Sequence, residues 1–351
     1  MINTCIKTLQ NGQSLSEDQM IAAMNAIMSG DVSHDDLLIF LIALSDKGEN
    51  IDEITAAAKV MREKAIGMQS PYGAVDCCGT GGDAKGTYNV STAVSIIAAA
   101  CGVPMVKHGN RASSSKSGAA DVLEVLGVNL DADIRNIAYA IKALNFAFFM
   151  APNYHPAMRH VAAVRKEIGK RTIFNLLGPL ANPAKARIQL IGVYDKKLTR
   201  TFAEVLKRLG SKRALIVHGA DGLDEISISA ETHFARLDEE GTITEGTLTP
   251  DDFGLKTHKM DDIIGGSPED NAVALRALLE GKTGAYRDIV LANTAAVINL
   301  HAPEITLTDA VTKAAAAIDS GDAYELFKDY IAITRLDHET HPEIKDMAIN
   351  D

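Results

Sequence analysis

The sequence has no apolar run long enough to cross a bilayer. Its longest apolar region, Ala93 to Val106, is alanine-rich and broken by Gly102 and Pro104. Basic charge is scarce as well: 46 Asp and Glu outnumber 35 Lys and Arg, for a formal net charge of −11. That balance argues against nucleic acid or an anionic membrane as partner, so any phosphate site must be a local basic cluster. The four cysteines, Cys5, Cys77, Cys78 and Cys101, form no C-x-x-C pair. Buried free thiols in a reducing compartment are expected, with the adjacent Cys77 and Cys78 on opposite faces of a strand. The first residues, Met-Ile-Asn-Thr-Cys-Ile-Lys, lack the apolar core of a signal peptide, and the expected location is the cytoplasm. There is no internal repeat, low-complexity tract or flexible linker, and no nucleophile-and-base pair stands out.

What is present is an ordinary globular composition, 46% hydrophobic and 23% charged over 351 residues, enough for two domains or one large one. The first part reads as helices. Ser16 with Gln19, Ser33 with Asp36 and Asn50 with Glu53 are N-terminal capping patterns, and Gly48 is a helix stop. Ile54, Ala57, Ala58 and Met61 share one helical face. The run Leu37 to Leu44 is apolar nearly all round, which fits a core helix or a subunit contact.

From Ala74 onward short apolar runs alternate with amphipathic segments. Val103–Val106, Phe146–Met150, Gln189–Val193 and Ala214–Val217 are strand-like; Ala119–Leu126, Ile134–Leu144, Ala157–Ile168 and Leu198–Leu209 are helix-like. This alternation predicts an α/β fold with a mainly parallel sheet and ligands at the C-terminal strand ends. Gly241 to Thr249 reads as a peripheral hairpin or ribbon, and Pro268 to Asp337 as helices around the apolar Ile289 to Leu300.

The stretch around which the rest is organised is Val75-Asp-Cys-Cys-Gly-Thr-Gly-Gly-Asp83. A buried strand runs into a turn at Gly79, Gly81 and Gly82, followed by Asn89, Ser91 and Thr92 as N-caps of an apolar helix from Ala93 to Ala100. Such a turn can hold a phosphate on backbone N–H groups. It is no P-loop, because no G-K-[ST] follows, and no acidic residue stands about 20 positions on to hold a dinucleotide ribose. On its own it serves equally well as a strand-to-helix connection. The neighbouring Lys107-His-Gly-Asn-Arg-Ala-Ser-Ser-Ser-Lys-Ser-Gly118 brings cations, hydroxyls and glycines to the same sheet edge, which suits a doubly charged anion.

Gly79-Thr-Gly-Gly-Asp83, Asn89-Val-Ser-Thr92, Lys107-His-Gly-Asn-Arg111, Phe174-Asn-Leu-Leu-Gly-Pro-Leu-Ala-Asn-Pro183 and Asp221-Gly-Leu-Asp-Glu225 occur in the order found in the anthranilate phosphoribosyltransferases. The chain resembles that family over nearly its whole length. The resemblance implies a small helical N-terminal domain over residues 1–70, with a crossing segment around 170–183, and a larger α/β domain over 71–351. It further implies a homodimer formed through the helical domain. The implied reaction is transfer of the phosphoribosyl group of phosphoribosyl pyrophosphate to the amine of anthranilate, an early step of tryptophan synthesis, assisted by Mg²⁺.

By the same resemblance, Gly79, Gly82, Asp83, Thr87, Asn89, Val90, Ser91, Thr92, Lys107, His108, Gly109, Asn110, Arg111, Ala112, Ser113, Ser114, Ser115 and Ala119 form the donor site. Gly79, His108, Asn110 and Arg165 form the anthranilate site, where the planar fork of Arg165 suits a carboxylate. Ser91, Asp224 and Glu225 hold the metal, and Lys107, Asp224 and Glu225 carry the catalysis. By residue type alone, Asp224 and Glu225 make a solvated acidic turn and Arg165 a surface helix arginine; the resemblance assigns them differently. One position departs from the family pattern: Ala119, in Lys116-Ser-Gly-Ala-Ala-Asp121, stands where a serine hydroxyl is usual. Loss of one neutral hydrogen bond costs about 0.5–1.5 kcal/mol, which weakens donor binding without abolishing it.

His155 and His160, near the helix that carries Arg165, and His218, after a strand, read as packing residues; His338 and His341 lie in a polar tail. Two rival readings differ in class. A pyrimidine-nucleoside phosphorylase needs a Lys-His-Ser-Thr-Gly-Gly type phosphate loop, absent here, and a nucleic-acid-binding relative of the same fold needs a basic groove.

Overall fold

A computed structural model describes residues 1–112, 116–337, 340–345 and 347. The chain begins with a bundle: α1 (Ile2–Gln10), α2 (Glu17–Ser29), α3 (His34–Lys47) and α4 (Ile51–Glu63). The three capping patterns are in place. Ser16, Ser33 and Asn50 each accept an N–H from the third helical residue, and α3 ends at Gly48. Each such cap stabilises its helix by about 1 kcal/mol. The helix α4 is buried over more of its surface than the single face expected. Glu53, Thr55, Ala56 and Val60 are enclosed along with Ile54, Ala57, Ala58 and Met61. Glu53 remains tolerable inside because it accepts from the Leu15 N–H at 2.9 Å and pairs with Lys47 Nζ at 2.7 Å.

After the bundle come β1 (Val75–Gly79), α5 (Val90–Ala100), β2 (Met105–Gly109), α6 (Ala119–Val125), α7 (Ile134–Leu144), β3 (Phe146–Met150), α8 (Ala151–Tyr154), α9 (Arg159–Ile168) and α10 (Ile173–Leu177). Next are β4 (Ile188–Gly192), α11 (Leu198–Arg208), β5 (Arg213–Gly219), β6 (Thr232–Leu237) and β7 (Ile243–Leu248). The α/β part closes with α12 (Pro268–Leu279), α13 (Ala285–His301), α14 (Leu307–Asp319), α15 (Asp322–Thr334) and the short α16 (Pro342–Lys345). This is the expected helical N-terminal part followed by α/β.

The sheet has seven strands in the order β3-β2-β1-β4-β5-β6-β7, with β1 to β5 parallel and β6 and β7 antiparallel. The strand β2 begins at Met105 rather than Val103 because Pro104 has no N–H to give the ladder; its carbonyl instead accepts from Val75 N at 2.8 Å. The stretch expected as a peripheral hairpin supplies only β7, which pairs with the unanticipated β6.

Side chains alternate across the sheet. Leu215 and Val217 of β5 face a core shared with α5, α7 and α12 to α15, while Ala214 and Ile216 face the opposite way. That second core runs without a break from β4, β5 and α11 through α9 and α10 into α1 to α4. The helix α10, within the segment expected to cross, packs against α3 and α4. On the first side α13 lies between α5 and α14, and its residues from Ile289 to Ile298 are all buried. All four cysteines are free, with Cys77 buried and Cys78 partly exposed. Among the described residues no helix is long and apolar enough to cross a membrane.

Candidate active site

The chain leaves β1 towards β2 and β3 on one side and returns to β4 on the other, so the strand order reverses between β1 and β4. A crevice at the C-terminal ends of the strands opens at such a point. Gly79 and Gly192 lie level there on the adjacent strands. Both must lack a side chain because the loop after β5 crosses directly above them. A Cβ at Gly79 would meet Asp224 Oδ2 at 2.5 Å, and one at Gly192 would meet the Asp224 carbonyl at 1.5 Å. The turn beyond Gly79 uses left-handed backbone at Gly81 (φ 67°) and Gly82 (φ 76°), which glycine adopts without steric cost. It is tied down by Thr80 N donating to Gly192 O at 2.9 Å and Gly81 N donating to Asp224 Oδ2 at 2.8 Å.

Downstream of the turn, α5 starts at Val90, three residues earlier than expected. Its N-cap residue, Asn89, makes no capping bond. The Asn89 side chain instead joins Ser117 O at 3.3 Å and accepts from Asn271 Nδ2 at 2.8 Å, while Tyr286 OH donates to its carbonyl at 3.4 Å. Val90 N donates instead to the Tyr88 carbonyl at 2.8 Å, and the Glu225 carboxyl accepts from the Ser91 amide, so an acidic group already stands at the positive end of the helix dipole, where negative charge is favoured. Thr87 is held by a bridge to Ile264. The Thr92 hydroxyl is buried without a partner among the described residues.

Beneath α5, Lys107 from β2 is almost wholly enclosed. Its ammonium donates to Cys77 O at 2.7 Å and to Ser91 Oγ at 3.1 Å. Opposite lie Asp224 and Glu225. Burial and the Asp83 carboxylate raise the Asp224 carboxyl to about 7. Burial and Asp224 raise Glu225 well above the usual carboxylate range, with Lys107 opposing. Two carboxyl groups that resist joint ionisation are a site that favours a cation. Their oxygens, with Ser91 Oγ nearby, form a hard donor set of the kind Mg²⁺ takes, with waters and substrate phosphates completing its shell. Among the described residues no three His, Cys, Asp or Glu side chains form a pre-built metal cage.

His108, next to Lys107, points to the other side of β2. Its backbone N–H donates to the buried Asp76 Oδ1 at 3.1 Å, and its Nδ1 lies 3.2 Å from Gly178 O. The His108 and His155 rings stand 5.2 Å apart, and both Nε2 atoms are buried without a partner among the described residues. Burial lowers the His108 imidazole to about 3, and lowers His155 as well, so both rings are neutral at pH 7. Arg165 on α9 sets its guanidinium over the Phe174 ring at 5.7 Å, partly enclosed.

Of the remaining sequence-assigned residues, Asn110 is exposed at the end of β2, its Oδ1 accepting from Arg111 N at 2.7 Å. Arg111 does not extend a free guanidinium to the crevice; it pairs with Glu124 at 2.6 Å and Asp121 at 3.2 Å. Asp121 also accepts from Ala112 N at 2.8 Å and Gly118 N at 2.9 Å, which closes the loop between β2 and α6. Ala119 is the first residue of α6. Ser113, Ser114 and Ser115, and also His338, lie outside the described residues. Asn271 and Tyr286 were not legible as site residues: they reach Asn89 across 182 and 197 positions, and no local pattern marks them.

Comparison with known proteins agrees with this geometry. The glycosyl transferase family helical bundle domain matches residues 3–65, and the glycosyl transferase family a/b domain matches residues 71–324. The anthranilate phosphoribosyltransferase of Rhodospirillum rubrum is 50% identical over 332 residues, 95% of this chain and 95% of that one. The crystal structure of the enzyme of that name from Thermus thermophilus superposes with a TM-score of 0.87 at 40% identity, covering 95% of this chain and 99% of that one. The Saccharomyces cerevisiae enzyme, solved in complex with phosphoribosyl pyrophosphate and Mg, gives a TM-score of 0.85 at 29% identity over 95% of this chain and 97% of the other. An identity of 50% sustained over nearly the full length of both chains leaves one conclusion: this protein belongs to the anthranilate phosphoribosyltransferase family.

Proposed function

We propose that the chain transfers the 5-phosphoribosyl group from phosphoribosyl pyrophosphate to the amine of anthranilate, releasing pyrophosphate. The observation that carries this reading is the pairing, at one crevice, of the glycine turn that leads into α5 with the acidic pair Asp224 and Glu225. The first suits phosphate, and the second suits the metal that travels with pyrophosphate. A phosphorolytic enzyme using a nucleoside would have little use for the acidic pair.

In this reading the anthranilate nitrogen attacks ribose C1 as the C1–O bond to pyrophosphate breaks, and the amine proton is lost from the product nitrogen. Negative charge collects on the departing pyrophosphate and positive charge on the ribosyl ring. The Gly82 and Asp83 amides of the glycine turn and the N-terminal end of α5 face the phosphates, with Ser91 and Asn89 beside them. Lys107, enclosed behind Ser91, contributes its charge from the second row and orients that hydroxyl. Asp224, Glu225 and Ser91 would hold Mg²⁺, which supplies charge neutralisation on the leaving group. His108 and Arg165 form the acceptor side, with a neutral imidazole against an aromatic ring and a guanidinium for its carboxylate. An aromatic amine is unprotonated at neutral pH, so this is electrostatic catalysis and needs no strong base.

The donor assignments to Gly79, Gly82, Asp83, Thr87, Val90, Thr92, Gly109, Ala112 and Ala119 belong to the same proposal, as does the division into a bundle (1–70, with 170–183) and an α/β unit (71–351). A homodimer through the bundle is proposed as well, supported by the partly exposed Ile39 on the apolar α3. A cytoplasmic location fits the composition. The deciding experiment is loss of anthranilate fluorescence on mixing protein, Mg²⁺, phosphoribosyl pyrophosphate and anthranilate. Loss that needs both substrates and stops with EDTA supports the reading; no loss from folded protein refutes it.

A further inference from the structure

We propose that Arg171 is a positioning residue for the phosphoribosyl donor, which holds the Gly79–Asp83 turn in its binding shape from the bundle side of the crevice. The inference rests on the function proposed above and adds a residue outside its sites. Arg171 lies in the connection between α9 and α10. Its backbone carbonyl accepts from Ser45 Oγ at 3.1 Å, and the adjacent Lys170 pairs with Asp46 at 2.6 Å. Ser45 and Asp46 belong to the last turn of α3, so this connection is fastened to the bundle.

The side chain runs the other way. Its guanidinium lies over the Tyr194 ring, 3.6 Å from the centroid, and Nη2 donates to the Gly82 carbonyl. Tyr194, just past β4, is itself tied to the turn, its N–H donating to Thr80 Oγ1 at 3.2 Å. The turn is thus gripped by the Tyr194 N–H at Thr80 Oγ1, by Asp224 at the Gly81 amide, and by Arg171 at the Gly82 carbonyl. The Asp224 grip is shared with the candidate metal site, whereas the Arg171 grip is independent of it. By anchoring the carbonyl of Gly82 the arginine fixes the peptide plane between Gly82 and Asp83, and with it the direction of the next amide. A planar guanidinium can lie flat on the ring while its edge donates; an ammonium cannot do both. Arg171 is otherwise exposed, so its contacts serve the turn rather than a core.

The test measures steady-state kinetics for both substrates and calorimetric binding of magnesium pyrophosphate, with wild type, Arg171→Ala, Arg171→Lys and Tyr194→Leu. Arg171→Ala is expected to raise the donor KM and the pyrophosphate Kd by about tenfold, the scale of one charge-assisted hydrogen bond, with the anthranilate KM within about twofold and Tm little changed. Tyr194→Leu should move the donor constants in the same direction, and Arg171→Lys should fall between Ala and wild type. Unchanged donor constants in Arg171→Ala, or equal rises for both substrates with a fall in Tm, would overturn the inference. An inactive wild type would refute the proposed reaction alone, because the pyrophosphate titration still decides the role of Arg171.

Discussion

The amide of Gly81 donates to Asp224 Oδ2 at 2.8 Å, which joins the glycine turn after β1 to the acidic loop after β5. In the proposed site, donor binding and metal binding therefore share one carboxylate. Asp224→Asn keeps the shape of the side chain and removes its charge. The expected result is a fall in kcat of about 10²-fold or more that added Mg²⁺ does not reverse, with Glu225→Gln behaving alike. Initial rates titrated against Mg²⁺ would check this; a variant that regained full kcat at high Mg²⁺ would place the metal elsewhere.

Arg165 sits over Phe174, on the proposed acceptor side of the crevice. Arg165→Ala is expected to raise the anthranilate KM by about tenfold or more, and to leave the donor KM within about twofold, since a charge-assisted contact to one substrate is lost. Unchanged anthranilate kinetics would remove Arg165 from the site.

The neutral His108 ring predicts acid lability. In the unfolded chain the imidazole titrates near 6.5, whereas burial lowers it to about 3 in the fold. The unfolded state thus binds the proton first. The contribution is fully present above about pH 6.5 and is lost progressively as pH falls towards 3. By pH 5 the loss is about 2 kcal/mol. Urea midpoints at pH 7 and pH 5 should differ more for wild type than for His108→Asn; parallel shifts would sink the assignment.

Ala119 opens α6 beside the loop that Asp121 closes. Ala119→Ser places there the hydroxyl that the family resemblance leads one to expect. One neutral hydrogen bond corresponds to a donor KM lower by about two- to tenfold. A donor KM that stays the same would show that the hydroxyl does not reach the donor in this chain.

The sequence was most informative where a signal is local. The strand Phe146–Met150 and the helix Ile134–Leu144 were placed to the residue, because a five-residue apolar strand and an amphipathic helix meet at Asn145, in left-handed backbone. The helix caps at Ser16, Ser33 and Asn50 were legible for the same reason. The strand β6 escaped because Thr232-His-Phe-Ala-Arg-Leu237 buries only every third or second residue and shows no clean alternation. In the proposed site, contiguous blocks such as Gly79 to Asp83 stand out in the sequence. Arg171 and Asn271 could not, since each acts on a backbone or side-chain atom delivered by a distant strand or turn. Nor could residue types alone foretell that Lys107 would be enclosed behind Ser91 or Arg111 committed to α6.

The apolar core that runs from β4 and β5 through α10 and α11 into α1 to α4 bears on how the molecule can be taken apart. A fragment ending near Glu63 would carry away one half of a shared interior. Leu37, Phe40 and Leu41 would lose part of their cover, and Ile191, Ile216 and Phe202 would face water on the piece left behind. With that interior shared, neither piece is expected to fold on its own. Cutting the chain between the two family matches would yield aggregating halves rather than an excised bundle and a working catalytic fragment, and the two should melt in a single transition.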